Sequence, residues 1–233
     1  MTYGIPYRGS KNKIATDIIE MLPPGHRFVD LFAGGCAMTH AAYLTGKYSK
    51  FLCNDKYPVI GQEVFRQACT GEFNKPAYQR TISYDEFRRD RFNSGWLISV
   101  WGWNCSVGYL SKEIDKLIKD KDIKTIQDMA DELNIRYPLQ RLTRLKNLTG
   151  QIDISRVEFT AMDYRDYIWQ EGDVVYCDPP YSSYQPSNPY SHFGFDINKF
   201  WEWVRTRDYT VYVSEYSAPD DFVSIFDKKR GGV

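Results

Sequence analysis

RFVDLFAGGCAM, residues 27–38, is an apolar run that meets an acid, then a glycine turn, then small side chains. Phe28, Val29, Leu31 and Phe32 around Asp30 read as a buried strand, and Ala33-Gly34-Gly35 turns the chain after it. The stretch predicts a buried strand over 27–32, a tight turn, and a closely packed helix from Cys36 to Leu44.

Outward from it, KFLCND (50–55) predicts a second strand, followed by a helix from about Pro58 to Cys69. Two βα units therefore fall within the first 70 residues. Upstream, Ile14, Ile18 and Leu22 recur four apart behind Ser10, a residue suited to an N-cap, and Pro23-Pro24 ends the pattern, so an amphipathic helix is expected over 10–22. After Gly150 the same rhythm returns. RVEFTAMD (156–163) reads as a strand followed by a short helix, DVVYCD (173–178) as a strand, FDINKFWEWV (195–204) as a helix and YTVYVSEY (209–216) as a strand.

The stretch between differs in character. It is polar, broken by Gly71, Pro76, Gly95, Gly102 and Gly108, and reads as mainly helical. Thr125 with Asp128 can cap a short helix, and Leu139, Leu142, Leu145 and Leu148 recur every three residues through LQRLTRLKNL. Arg136, Arg141, Arg144 and Lys146 project from that segment with no acid among them, either as a solvated face over a core stripe or as a phosphate-facing helix. The expected organisation is one α/β domain made of residues 1–70 and 151–233, interrupted by a helical insertion over 71–150.

Composition narrows the function. With 42% hydrophobic residues in 233, the chain can bury one substantial core. No apolar run approaches the ~18 residues of a membrane span, and MTYGIPYRGSKNK lacks the apolar centre of a signal peptide, so a cytoplasmic protein is expected. Five scattered cysteines without a C-x-x-C pair, and three distant histidines, suggest neither a disulfide framework nor a metal site. Formal net charge is zero, yet basic residues outnumber acidic ones by 7 to 4 over 1–60 and 15 to 12 over 61–150, against 8 to 14 over 151–233. A local basic face for nucleic acid is compatible with that distribution.

The residues that carry chemistry are VVYCDPPYSSY (174–184). A buried strand delivers Asp178, two prolines and Tyr181 to its carboxyl end, where ligands bind in an open α/β sheet. Asp178 can accept one amino hydrogen and the Pro179 carbonyl a second. The prolines fix the turn in advance, and Tyr181 offers a flat face for an extruded base. Together they form a grip on a planar aromatic amine; the plain alternative is an Asp-Pro-Pro turn with a surface tyrosine. The glycine turn after Asp30 lets a cofactor lie close to the backbone, but it is not G-x-G-x-x-G, which disfavours a dinucleotide. Asp55 closes the next strand, where a carboxylate commonly takes ribose hydroxyls.

PYRGSK (6–11), DLFAGGCAM (30–38), the Asp55 turn and VVYCDPPY (174–181), in this order, resemble the Dam-like D12 class of adenine-specific DNA methyltransferases, phage and prophage members in particular. RLTRLKNL, DYRDY (163–167), FDINKFWEWV and VSEYSAPDDF (213–222) extend the resemblance over most of the chain. It implies a Rossmann-like class I AdoMet-dependent methyltransferase fold with a mainly helical target-recognition insertion. S-adenosylmethionine would be held by Tyr7, Gly9, Asp30, Phe32, Gly34, Gly35, Asp55, Asp163 and Tyr164, with Lys11 near the cofactor or the duplex. Double-stranded DNA would be the partner, in a phage or restriction-modification context. WGWNCSVGYL (101–110) and the 136–146 stretch would meet it, Trp103, Asn104, Tyr109, Arg141 and Arg144 foremost, with Trp101 and Trp103 having core packing as their alternative.

The implied reaction is methylation of the 6-amino group of a flipped adenine, with Asp178, Pro179 and Tyr181 as its catalytic residues. It needs no covalent intermediate, which leaves Cys177 to the core. The exocyclic amine of cytosine, and a non-catalytic DNA-binding module that keeps the fold, are the competing readings. Two departures stand out: the insertion is short and lacks the family's usual recognition hairpin, and the chain reaches Lys-Arg-Gly-Gly-Val (229–233) where relatives continue with a final strand, so an incomplete sheet edge is expected.

Overall fold

Every stretch read as a strand forms one. The strands are β1 (Arg27–Asp30), β2 (Lys50–Asn54), β3 (Val157–Thr160), β4 (Asp173–Cys177) and β5 (Val211–Val213). They pair in the order β3-β2-β1-β4-β5, and each pair is parallel. The computed structural model describes residues 2–5, 9–56, 61–75, 143–180 and 195–226. Residues 76–142, which hold most of the expected insertion, including the Thr125–Asp128 cap, Leu139 and Leu142, lie outside them.

The apolar runs are continuous because both faces of the sheet are covered. Along β1 and β4, Phe28, Val174 and Tyr176 join one buried cluster, while Val29, Val175 and Cys177 join another. The first cluster is completed by α1 (Ala15–Met21), α2 (Ala37–Thr45) and α3 (Gln62–Cys69), through Ile19, Ala41, Ala42 and Phe65. The second is closed by α4 (Ile197–Arg205), through Phe200, Trp201, Trp203 and Val204. Each fully buried side chain of this size contributes about 1.5–3 kcal/mol, so the two-sided cover is the main stabilising feature. Leu145 and Leu148 of the leucine repeat are core residues.

Register at the centre is pinned by charge. Arg27 stands opposite Asp173, and its Nε and Nη2 donate to the two carboxylate oxygens at 2.8 and 2.7 Å. Tyr167 Oη and the Gln170 amide also donate to Asp173. This knot sits at the amino ends of β1 and β4, leaving their carboxyl ends to the site.

The boundaries differ from expectation where side chains outside the local pattern intervene. Residues 10–22 are not one helix: Ser10 Oγ accepts from the Asn12 amide and caps a 3-10 turn over Lys11–Lys13. Ile14 then breaks the run at φ −128°, and α1 starts at Ala15. Lys47 ends α1 by donating from Nζ to the carbonyls of Ile19, Glu20 and Leu22, a cation where the helix leaves its carbonyls unpaired. Scattered in sequence, Cys36 and Cys53 nonetheless bring their Sγ atoms to 3.3 Å as free thiols in the core.

Candidate active site

Between β1 and β4 the order of strands reverses, and parallel sheets bind ligands in the crevice this opens at their carboxyl edge. Four strand ends deliver residues there: Asp30 and the Ala33–Gly35 turn after β1, Asn54 and Asp55 at β2, Asp163 and Tyr164 after β3, and Asp178 with Pro179 after β4.

Asp178 is ion-paired. Lys11 Nζ donates to both of its carboxylate oxygens at 2.5 Å, and the two side chains are only 9% and 18% exposed. The 3-10 turn makes this contact possible, because it carries Lys11 inward ahead of α1. Lys11, expected near cofactor or duplex, is thus placed on the acid of the Asp-Pro-Pro turn, 167 residues away in sequence. Pro179 is buried beside it.

The glycine turn is held from three sides. Asp55 Oδ2 accepts the Gly34 amide at 2.8 Å, so at least this oxygen serves the turn. A Cβ on Gly61 would lie 1.8 Å from the Gly34 carbonyl oxygen, and one on Gly4 would lie 2.3 Å from that of Gly35. Neither position can take a side chain unless the turn moves. Cys36, the residue that leads from the turn into α2, adopts the left-handed conformation at φ 58°.

Asp30 is fully buried. Oδ2 accepts from Thr39 Oγ1 at 2.9 Å, whereas Oδ1 has no hydrogen-bond partner among the described residues. Burial pushes its carboxyl up to about 7, against the Thr39 hydrogen bond and with added repulsion from Asp178 and Asp55. Asn54 stitches three strand ends: Nδ2 donates to the carbonyls of Leu31 and Met162, and Oδ1 accepts from the Met162 amide and Thr160 Oγ1. Asp163 is clasped by Arg165, which donates from Nε at 2.7 Å and Nη2 at 2.9 Å, and by Lys56 Nζ at 3.0 Å. The Arg165 hydrogen bond first, and Lys56 with it, holds the Asp163 carboxyl well below the usual range despite partial burial. Phe32 and Tyr164 pack on each other at 5.4 Å between ring centroids and share Phe195 and Phe200 as neighbours.

The structure therefore gathers Lys11, Asp30, Phe32, Gly34, Gly35, Asp55, Asp163, Tyr164, Asp178 and Pro179 at or next to one edge. Gly9 is exposed with φ +79°, a turn position open to solvent. Tyr7, Trp101, Trp103, Asn104, Tyr109, Arg141 and Tyr181 lie outside the described residues. Arg144, expected on a DNA-facing surface, turns inward instead: it is half-buried, and Nη2 donates to the Tyr3 carbonyl at 2.6 Å. Asn54, Gly4 and Gly61 were missed; the Asn-Asp pair at the end of β2 is the only local signal, and nothing near Gly4 or Gly61 announces their close approaches.

Among the described residues, no helix is long and apolar enough to cross a membrane. The family match reaches the glycine turn, β2 and Asp55 but not β4, so Asp178 is placed by geometry alone. No curated protein matches the chain. Residues 7–60 match the family model of the D12 class N6 adenine-specific DNA methyltransferase, and that match supports an adenine-specific DNA methyltransferase.

Proposed function

We propose that the chain transfers a methyl group from S-adenosylmethionine to the 6-amino group of an adenine flipped out of double-stranded DNA. The observation that carries this is the Lys11–Asp178 pair at the carboxyl end of β4, next to the glycine turn of β1. An acid aimed at the switch point, followed by a buried proline, is a pre-set pair of acceptors for an exocyclic amine.

The residues fit the cofactor. Asp30 keeps a buried oxygen without a hydrogen-bond partner among the described residues, and Asp178 and Asp55 both repel it across the turn. A ligand with a cationic end relieves both. Bound S-adenosylmethionine supplies the methyl group as a sulfonium electrophile. Gly34 and Gly35 leave the backbone open to close approach, Phe32 and Tyr164 offer aromatic edges, and Asp163 is ionised to accept hydrogen bonds.

Asp178 and the Pro179 carbonyl accept the two amino hydrogens, which localises the nitrogen lone pair. Lys11 holds the Asp178 carboxylate in place until the amine takes over one oxygen. Asp178 then receives the proton that the nitrogen sheds. Tyr181 stacks on the base, and Trp103, Asn104, Tyr109 and Arg141 are the proposed DNA contacts. A phage or restriction-modification setting, in the cytoplasm, accords with the Dam-like motifs.

The test is incubation of the protein and its Asp178→Ala variant with unmethylated duplex and labelled S-adenosylmethionine, followed by digestion to nucleosides. Label in methyladenosine, lost in the variant, is expected. Label in methylcytidine overturns the base assignment, and no label despite cofactor binding overturns the activity.

A further inference from the structure

The segment Tyr3–Ile5 is a strap tied at five points. The Tyr3 amide donates to Asn12 Oδ1 at 2.6 Å, and its hydroxyl pairs with Thr16 Oγ1 at 2.7 Å. The Gly4 amide donates to His40 Nδ1 at 3.0 Å, and the Ile5 amide to the Gly35 carbonyl at 2.9 Å. Arg144 closes the knot on the Tyr3 carbonyl at 2.6 Å.

These bonds run between places that matter. Gly35 belongs to the glycine turn. Asn12 adjoins Lys11, whose ammonium holds Asp178. Arg144 lies inside the insertion expected over 71–150, two residues after 76–142, in a helical run over 143–147 seated in the core by Leu145. One hydrogen bond thus separates the return of the insertion from a strap that touches both the cofactor turn and the neighbour of Lys11. Gly4 permits the arrangement: with φ +61° and the Gly35 carbonyl 2.3 Å from where a Cβ would stand, no other residue fits between strap and turn.

We propose that Arg144 is a positioning residue that couples the insertion to the methyl-transfer site. By holding the Tyr3 carbonyl it fixes the strap, and through the strap both the Gly35 turn and the Lys11–Asp178 pair. Coupling of this kind is reciprocal, so DNA engagement that shifts 143–147 alters cofactor affinity, and cofactor alters DNA affinity by the same factor. The proposal rests on the methyltransferase reading above.

The experiment compares the full chain with Arg144→Ala and Arg144→Lys in three measurements: amide hydrogen exchange at Gly4 and Ile5, S-adenosylmethionine affinity by calorimetry without DNA, and the salt dependence of DNA binding. Loss of a charge-assisted hydrogen bond predicts that Arg144→Ala exposes both strap amides and weakens cofactor binding about tenfold. Arg144→Lys, which keeps one donor, restores part of both, and the slope of log affinity against log salt stays unchanged in both variants. A slope reduced by about one, with exchange and cofactor affinity as in the parent, makes Arg144 a phosphate contact and overturns the proposal. Unchanged values throughout overturn it as well. If Arg144→Ala does not fold, Arg144→Lys combined with Asn12→Ala decides: strictly additive effects on strap exchange overturn the coupling, and non-additive ones support it. The exchange measurement needs neither cofactor nor DNA, so a chain without methyl-transfer activity refutes the underlying reading separately from the strap.

Discussion

Asp163 and Asp178 both stand at the carboxyl edge of the sheet, and both are held by cations, yet they are held differently. Asp163 has two partners, Lys56 and Arg165, whose side chains are 57% and 59% exposed. Asp178 has Lys11, 9% exposed. Exposed pairs exchange readily with water and contribute little, whereas breaking a shielded pair strands a charge. The same chemistry therefore makes an adjustable clasp at β3 and a poised acid at β4. Asp30, between them, has no cation paired with it among the described residues; Thr39 Oγ1 donates to it instead.

The largest expected effect lies at the shielded end. Asp178→Ala should lower methyl transfer by roughly a thousandfold while calorimetry still detects S-adenosylmethionine binding; turnover within tenfold of the parent breaks the contrast outright. Lys11→Met should cost about 3 kcal/mol in denaturant unfolding, because it removes the Lys11 ammonium from the Asp178 carboxylate in a shielded place. Adding Asp178→Asn to that variant should recover most of the loss, and additive losses would place Lys11 outside the pair. Gly61→Ala should cost about 2 kcal/mol by forcing the Gly34 carbonyl aside, with cofactor affinity falling in parallel.

Two smaller effects sharpen the comparison. The Asp30 carboxyl is pushed up from 3.8 to about 7 in the fold, so its contribution to stability is fully present below the lower value, falls steadily as pH rises between the two, and its last part is lost as pH passes through 7. His40, lowered to about 4 chiefly by burial, works in the opposite direction, and its contribution is common to the parent and Asp30→Asn, so it cancels when the two are compared. Between pH 6.5 and 8 the parent should lose about 1 kcal/mol relative to Asp30→Asn, and parallel profiles would show that Asp30 does not titrate there. Lys56→Ala should change stability by less than about 0.5 kcal/mol; a loss as large as that of Lys11→Met would erase the distinction between the two acids.

Much of the fold was legible because two-sided burial writes itself into β1, β2 and β4 as unbroken apolar runs, and because turns need glycine and proline at set places. DLFAGGCAM and VVYCDPP told where the strands end and which acids stand there. What stayed hidden depends on contacts across the chain. That Lys11 reaches Asp178 follows from a helix break at Ile14 that the spacing of Ile14, Ile18 and Leu22 conceals. Arg144 looks like one more base on a polar stripe until the Tyr3 carbonyl is found beside it. Gly4 and Gly61 matter only because the turn passes them, and Cys36 and Cys53 meet only once β2 lies next to β1.

The order β3-β2-β1-β4-β5 has a consequence for how this chain can vary. Residues 76–142 fall in the sequence between α3 and β3, so they belong to the connection that separates β2 from its parallel neighbour. The entropy lost in closing such an excursion grows only with the logarithm of its length, at about 0.6 kcal/mol for each doubling. The sheet is thus nearly indifferent to how long that stretch is, provided that 143–147 re-enters in place. If that stretch reads DNA, as proposed above, it can be lengthened, shortened or exchanged for another while the edge of the sheet that carries Asp30, Asp55 and Asp178 stays as it is.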